Sequence, residues 1–171
     1  MMKNIVILGS TGSIGTQVLD VIRENSDRFH IVGMSAHQNI ELFNKLIQEF
    51  EPDRICVTDE SKIPELKIER YPVSKKFPEL VPGEDGISEL IRDPNVEMVV
   101  NAISGVQGII HTITAIQSRK TVLIANKESL VSAGDMMLSM AKKYQSLIIP
   151  IDSELTSIIQ CLEGRNEKDI E

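Results

Sequence analysis

The sequence predicts an α/β fold in which a doubly wound, mostly parallel sheet carries helices on both faces. Short apolar runs alternate with amphipathic segments, and each run is apolar at consecutive positions, as is typical of strands buried on both faces. Glycine or polar residues follow the runs, where strands would end. The runs predict six strands, at residues 5–8, 29–34, 55–58, 98–102, 122–125 and 147–151.

Helices are predicted between these strands. Apolar residues three and four positions apart indicate amphipathic helices after the first, second, fourth and fifth strands. Their apolar stripes begin at Ile14, Phe43, Val106 and Leu130. A further helix is expected over 155–162, followed by a polar tail. The stretch 59–86 contains four prolines and is expected to be irregular, although the strand–helix pattern resumes after it.

Composition excludes several classes of protein. The chain has 171 residues, which is about one domain at ~100–200 residues per domain. Its net charge of −7 argues against a nucleic-acid surface. No run approaches the ~20 apolar residues of a membrane span, and the ~7–15-residue apolar core of a secretory signal is missing. Two cysteines, Cys56 and Cys161, exclude a disulfide scaffold and suit a reducing, cytoplasmic location.

A glycine-rich loop separates the first strand from the first helix. Gly9, Gly12 and Gly15 stand at i, i+3 and i+6, a variant of the G-x-G-x-x-G dinucleotide fingerprint. Bare backbone allows a pyrophosphate to approach, and the amides of a helix N-terminus attract the anion. Ser10, Thr11 and Ser13 add hydroxyl donors. The loop therefore favours a nucleotide site over the alternative, a tight strand-to-helix turn without a ligand.

The end of the second strand distinguishes between cofactors. NAD-binding domains usually place an acidic residue there, on the ribose 2′-hydroxyl. Residues 29–40 contain no acid, and the strand is followed by His37, Gln38 and Asn39. This segment is compatible with a 2′-phosphate, which favours NADP. His37 is equally well explained as an exposed loop histidine.

Polar residues also follow the later strands, and in a parallel sheet these strand ends share one edge. Asp152 and Glu154 are spaced i, i+2, so an extended segment would point both carboxylates to one side, where Mg²⁺ or Mn²⁺ could join them. The alternative is that both acids stabilise the N-terminus of the next helix. Lys127 could orient a substrate oxygen or pair with a nearby acid.

The remaining candidates for chemistry have structural explanations. His30 lies at a strand entrance, and His111 is expected to face solvent from the fourth helix. Cys56 lies in an apolar strand and is expected to be an inert core thiol. Cys161 has no basic neighbour in the sequence, so a nucleophilic role is not expected.

Three segments together resemble the 1-deoxy-D-xylulose 5-phosphate reductoisomerase family. They are Gly9–Gly15 (GSTGSIG) with the following TQVLD, residues 125–131 (ANKESLV) and residues 150–154 (PIDSE). The resemblance extends over essentially the whole chain. It implies a Rossmann-like domain in an NADPH-dependent and divalent-metal-dependent oxidoreductase of isoprenoid biosynthesis. That enzyme rearranges and reduces 1-deoxy-D-xylulose 5-phosphate to 2-C-methyl-D-erythritol 4-phosphate, and its full-length form is a homodimer.

The resemblance also implies roles for individual residues. Thr11, Gly12, Ser13 and Ile14 would hold the NADPH phosphates, and Asn126 and Glu128 would contact the cofactor. The glycine loop and the end of the second strand add Gly9, Gly15, His37, Gln38 and Asn39 as predicted cofactor contacts. Lys127, Ser153 and Glu154 would contact the sugar-phosphate substrate, and Asp152 and Glu154 would bind Mg²⁺ or Mn²⁺. Lys127, Asp152 and Glu154 would be the catalytic residues.

The chain departs from the family pattern in three places. Of the segment 37–39, only Asn39 fits well, and Leu155 stands where the family usually has a histidine. The family's enzymes are also much longer. We therefore expect residues 1–150 to be the NADPH-binding domain and 151–171 to be the truncated start of the catalytic domain. Such a chain is expected to bind NADPH without turning over substrate.

Two other functions fit the same features. One is the cofactor domain of another NADP-dependent dehydrogenase with the same fold, such as a homoserine dehydrogenase. The other is a non-catalytic nucleotide-binding module that acts through a protein partner. Neither would require the Asp-Ser-Glu segment at 152–154 to bind a metal.

Overall fold

A computed structural model describes residues 2–125 and 127–164, and of residues 127–129 and 131 it describes the backbone only. The strands are β1 (Lys3–Leu8), β2 (Phe29–Ala36), β3 (Arg54–Val57), β4 (Glu79–Leu80), β5 (Met98–Asn101), β6 (Thr121–Ile124) and β7 (Ile148–Pro150). The helices are α1 (Ser13–Glu24), α2 (Ile40–Phe50), α3 (Gly83–Arg92), α4 (Val106–Gln117), α5 (Lys127–Tyr144) and α6 (Ser153–Leu162), with a short 3₁₀ helix at Glu60–Glu65.

The strands form one sheet in the order β4-β3-β2-β1-β5-β6-β7, and every neighbouring pair is parallel. The predicted α/β fold class, doubly wound with a parallel sheet, is therefore confirmed. The strand order reverses between β1 and β5. In open parallel sheets, ligands bind outside the carboxyl ends of the strands at such a switch point.

Two apolar clusters lie on opposite faces of the sheet. On one face, α1 and α2 pack residues such as Leu19 and Phe43 against Ile5 and Ile7 of β1. On the other face, α3, α4 and α5 supply a second cluster that includes Ile87, Ile116 and Met137. β1 contributes to both clusters because alternate residues of a strand point to opposite faces. Its four C-terminal residues are all buried.

The stretch 59–86 is more ordered than the sequence suggested. It contains the 3₁₀ helix and β4, which pairs with β3 at the edge of the sheet. Its last residues open α3, a helix that the predicted elements did not include. The signal for α3 was present in Ile87, Leu90 and Ile91, which have helical spacing and are fully buried.

The helices cover the β6–β7 side of the sheet less completely than the rest. β6 is buried at alternate residues, and β7 has no fully buried residue. Leu123 and Ile151 lie at the margin of the cluster formed by α1 and α2, together with Met98.

Within the described part of the chain, none of the helices is long and apolar enough to span a bilayer.

Candidate functional site

The glycine loop joins β1 to α1 in a tight turn. Gly9 has a φ of +76°, a conformation that glycine adopts at little cost, and its amide donates to Ser35 Oγ at 3.0 Å. Gly12 caps α1, and its amide donates to the Gly9 carbonyl at 3.0 Å. A Cβ on Gly15 would lie 2.2 Å from the Gly9 carbonyl oxygen. The first turn of α1 therefore packs directly on the loop, and side chains would keep the two apart.

The hydroxyls of this loop have different surroundings. Ser10 is fully buried, and its hydroxyl donates to the Ser35 carbonyl at 2.9 Å. The expectation that Ser10 offers a donor to a phosphate is therefore wrong, because this hydroxyl ties the loop to β2. Ser13 is exposed, and Thr11 is half-buried at a pocket.

That pocket, of about 350 Å³, lies across the ends of β1, β2, β3 and β5 at the switch point. It is lined by Gly9, Thr11, Gly12, Ser35, Ala36, His37, Thr58, Glu84, Ala102, Ile103, Ser104, Gln107 and His111. The structure thus brings the glycine loop together with the end of the second strand, as predicted. Asp152 and Glu154 do not line this pocket.

The segment after β2 is held by neighbouring side chains. His37 Nδ1 lies 2.9 Å from Thr58 Oγ1, and Gln38 donates to Asp59 at 3.3 Å. Asn39 caps α2 by accepting from the Leu42 amide at 3.2 Å. His37 alone of the predicted trio lines the pocket, and none of the described lining residues is a lysine or an arginine.

Asn101, the polar residue that ends β5, holds the following loop in place. Asn101 is fully buried and donates to the Gly108 carbonyl at 2.7 Å and to Thr112 Oγ1 at 2.9 Å. Its side-chain oxygen accepts from the Ile103 amide at 3.2 Å. Asn101 therefore fixes the loop that leads into α4, and Ile103 and Ser104 of that loop form one wall of the pocket.

Of the two roles that the sequence left open for the acids after β7, the structure shows the capping of a helix. Asp152 Oδ1 caps α6 by accepting from the Leu155 amide at 2.7 Å. The other oxygen, Oδ2, is buried and has no hydrogen-bond partner among the described residues. The Ser153 hydroxyl donates to Glu154 at 2.8 Å. A buried, unpaired carboxylate oxygen beside a second acid suits a hard divalent cation.

Within the described residues, no group of three or more His, Cys, Asp or Glu residues could hold a metal. Asn126 lies outside the described residues. Lys127 and Glu128 open α5, but their side chains also lie outside the description. Their predicted contacts stay predictions.

His111 is the functional candidate whose environment was predicted wrongly. It is 3% exposed, not solvent-facing, although its neighbour Ile110 is 52% exposed. Burial lowers the pKa of His111, and this effect is partly opposed by Glu84, whose Oε2 lies 3.3 Å from Nε2. The sequence contains a signal for this burial. His111 comes three residues after Gly108 and four before Ala115, so it shares a helix face with two residues that face the core.

Cys56 is the inert core thiol that the sequence predicts. Cys56 is fully buried, and its thiol donates to the Gly83 carbonyl at 3.3 Å. Burial raises its pKa to about 12, so the reactive thiolate is not populated at neutral pH. Cys161 is exposed on α6.

The fold and the glycine loop together define a class of protein: an α/β domain of the kind that binds dinucleotides across a switch point. Residues 5–134 match the sequence profile of the family described as 1-deoxy-D-xylulose 5-phosphate reductoisomerase, so the chain belongs to that family. This confirms the resemblance found in the three sequence segments.

Curated relatives of that name are similar over nearly the whole chain. The protein from Thermoanaerobacter pseudethanolicus is 43% identical and one from Bacillus cereus strain Q1 is 44% identical, each over 169 residues. The match takes in 99% of this chain but 43% of each relative. The chain thus spans less than half the length of these relatives.

Solved structures of reductoisomerases are also similar to this chain. A reductoisomerase from Zymomonas mobilis in complex with NADPH is 32% identical with a TM-score of 0.83, over 94% of this chain and 41% of that one. Another reductoisomerase, in complex with NADPH, fosmidomycin and magnesium, is 36% identical with a TM-score of 0.85. The match covers 95% of this chain and 40% of that one. A homoserine dehydrogenase from Thiobacillus denitrificans, at 16% identity, a TM-score of 0.60 and 87% and 29% coverage, shares the fold alone.

Proposed function

We propose that this chain is the NADPH-binding part of an enzyme that rearranges and reduces 1-deoxy-D-xylulose 5-phosphate to 2-C-methyl-D-erythritol 4-phosphate. The observation that carries the proposal is the pocket that joins the glycine loop to the ends of β2 and β5, in a chain of the reductoisomerase family. The substrate is a small sugar phosphate. Neither nucleic acid nor a membrane takes part, and the enzyme is cytoplasmic.

The glycine loop would hold the cofactor's phosphates. Gly9 and Gly12 line the pocket without side chains, and Gly15 lets the first turn of α1 pack on the loop. The N-terminal amides of α1, which begins at Ser13 and Ile14, would attract the anion. Thr11 adds a hydroxyl at the pocket. NADPH, when bound, supplies the hydride of the reduction.

Selectivity for the 2′-phosphate would come from the segment after β2. His37 is held at the pocket by Thr58, and Asn39 opens α2, so the positive end of that helix dipole lies beside them. Gln38 adds an amide donor. Because no acid occupies 29–40, nothing in this segment repels the phosphate.

The ends of β6 and β7 would serve the other half of the reaction. Asp152 and Glu154 would bind Mg²⁺ or Mn²⁺, which supplies Lewis acidity to substrate oxygens. The fit rests on the unpaired, buried Oδ2 of Asp152 next to the Ser153–Glu154 pair. Ser153, Glu154 and Lys127 would contact the substrate, and Asn126 and Glu128 the cofactor. Lys127, Asp152 and Glu154 are the proposed catalytic residues.

The chain divides into residues 1–150, the cofactor domain, and 151–171, the start of a catalytic domain. Since the relatives are more than twice as long, this chain is expected to bind NADPH without forming product. The full-length enzyme is proposed to be a homodimer.

Fluorescence titration of the purified chain tests the proposal. Saturable binding of NADPH, with NADH at least roughly tenfold weaker because it lacks a charge-assisted phosphate contact, is expected. A chain that binds neither nucleotide, or one that forms product without further polypeptide, would contradict it.

Mn²⁺ binding to the same chain, followed by electron paramagnetic resonance, tests the cation site. Asp152→Asn should weaken Mn²⁺ binding roughly tenfold, because a neutral amide replaces a carboxylate ligand. The matched control is Asp135→Asn on α5, which should leave Mn²⁺ binding unchanged. Equal loss in both variants would indicate non-specific attraction to an acidic chain.

A further inference from the structure

His111 and Glu84 form a polar corner of the cofactor pocket that the phosphate and metal sites do not use. His111 projects from α4 and Glu84 from the first turn of α3, and both line the pocket. The two helices pack side by side on one face of the sheet. The packing of α3 against α4 therefore brings these two side chains together, and the glycine loop does not contribute to this corner.

The imidazole of His111 is buried without a hydrogen-bond partner. Its side chain is 4% exposed, and neither ring nitrogen makes a hydrogen bond to the residues that the structure describes. Glu84 Oε2 lies 3.3 Å from Nε2, but the pair does not meet hydrogen-bond geometry. Buried polar atoms in folded proteins almost always have a partner, so an unpaired imidazole beside a pocket indicates a ligand group.

The position of the corner identifies which part of a dinucleotide it would meet. Domains of this kind hold the adenosine ribose at the end of the second strand. His37, at the end of β2, and Thr58, after β3, line the same pocket as Glu84 and His111. The adenosine half of the cofactor would thus lie on this side of the switch point, where Glu84 of α3 and His111 of α4 would meet its base.

The hydrogen-bonding groups of the corner match one purine edge. A neutral imidazole carries one N–H donor, and an ionised carboxylate only accepts. Adenine presents an amino donor beside an unprotonated ring nitrogen, so it can donate to Glu84 and accept from His111. Hypoxanthine presents a carbonyl oxygen and a ring N–H at those positions, the reverse pattern.

We propose that Glu84 and His111 recognise the adenine base of the cofactor and reject a base without the amino group. The inference rests on the proposed function, because it requires NADPH to bind in this pocket. It goes beyond that function in assigning base specificity to two residues of α3 and α4. Neither is a catalytic residue, since neither meets the reacting atoms.

The test compares NADPH with its hypoxanthine analogue, in which a carbonyl replaces the amino group. Both affinities are measured on the purified chain by fluorescence titration. The wild-type chain should bind NADPH about tenfold more tightly than the analogue, since a matched pair of base contacts discriminates by this order. Glu84→Gln should reduce that ratio to about twofold, because the amide can donate to the carbonyl of the analogue. His111→Phe should do the same by removing the imidazole donor.

Asp85→Asn is the matched control, because Asp85 is the next acid on α3 and is exposed outside the pocket. It should keep the wild-type ratio. If His111→Phe fails to fold, the partly exposed Glu84 still decides the question. Equal affinities in the wild-type chain, or a ratio that survives Glu84→Gln, would overturn the inference. Failure to bind NADPH at all would instead overturn the proposed function.

Discussion

The two halves of the sheet differ in how completely their faces are covered. β1, β2 and β3 lie beneath α1 and α2 on one face and beneath α3 on the other, and the C-terminal residues of all three strands are buried. β6 and β7 pack with α4 and α5 on one face. On the opposite face, Leu123 and Ile151 are only partly covered.

The difference indicates where the stability of this chain resides. The first half has a closed core, and the ends of its strands form the pocket proposed for adenosine together with the β5–α4 loop. The second half leads to the proposed metal ligands, and α6 at its end has no buried residue, with Ile158 54% exposed and Ile159 48% exposed. Stability should therefore be sensitive to changes in the first half and tolerant of similar changes in the second.

The largest expected effect is that of Gly15→Ala in the first half. The new Cβ would lie 2.2 Å from the Gly9 carbonyl oxygen and 2.7 Å from Ser10 Cα, so the helix must move off the loop. We expect unfolding free energy to fall by about 4 kcal/mol, near the upper end for a point substitution, and NADPH binding to be lost. Urea denaturation and NADPH fluorescence measure the two effects.

Gly134→Ala is the control from the second half. No described atom lies within 4 Å of its added Cβ, and Gly134 is inside α5. It should raise unfolding free energy by about 0.5–1 kcal/mol, because alanine is the better helix former. Similar destabilisation by both substitutions would contradict the contrast between the two halves.

Matched isoleucines in β1 and β7 test the contrast directly. Ile7 is fully buried, whereas Ile149 is partly exposed. Ile7→Ala should lower the free energy of unfolding by about 3 kcal/mol, within the range for fully buried aliphatic residues. Ile149→Ala should lower it by about 1 kcal/mol, since less apolar area leaves water on folding. Equal losses in urea denaturation would show that both strands are equally closed.

Closure of the sheet does not decide which parts of the fold could be predicted from sequence. Six of the seven described strands, in both halves, were found with small errors at their ends, because each contains a short apolar run. β4 has only two residues and follows Pro78, so it carries almost no periodic signal. α3 was missed because its apolar residues follow a stretch rich in proline and glycine, which drew attention to irregular structure.

The site was predicted where local pattern determines it. The glycine loop and His37 meet at one pocket because strand ends of a parallel sheet share an edge. The burial of His111 could not be found from strand ends, and its signal in the sequence was its helical spacing from Gly108 and Ala115. It depends on α3 packing against α4, and α3 itself had been missed. Ser10 was misjudged for a similar reason, because its hydroxyl bonds to Ser35 across the sheet.

A polar contact is expected to matter more than apolar burial within the second half. Lys120, which directly precedes β6, is 7% exposed and donates to the Asp93 and Val96 carbonyls at 2.7 and 2.8 Å. Lys120→Met leaves both carbonyls without this donor and should lower unfolding free energy by about 2 kcal/mol. Urea denaturation should rank it above Ile149→Ala, and the reverse order would show that apolar burial dominates here too.

The smallest expected effect is a dependence of stability on pH that comes from His111, at the boundary of the two halves. Burial lowers the pKa of His111 in the folded chain, and the Glu84 carboxylate partly opposes this shift. Below about pH 6.5, the ordinary pKa of histidine, the unfolded chain therefore binds more protons than the folded chain. Stability should therefore fall as pH drops through 6.5 and level off below the folded pKa. His111→Phe should flatten the dependence of the urea midpoint on pH between about 7.5 and 5.5. A slope that survives in His111→Phe would mean that other groups produce it, because the phenyl ring takes up no proton.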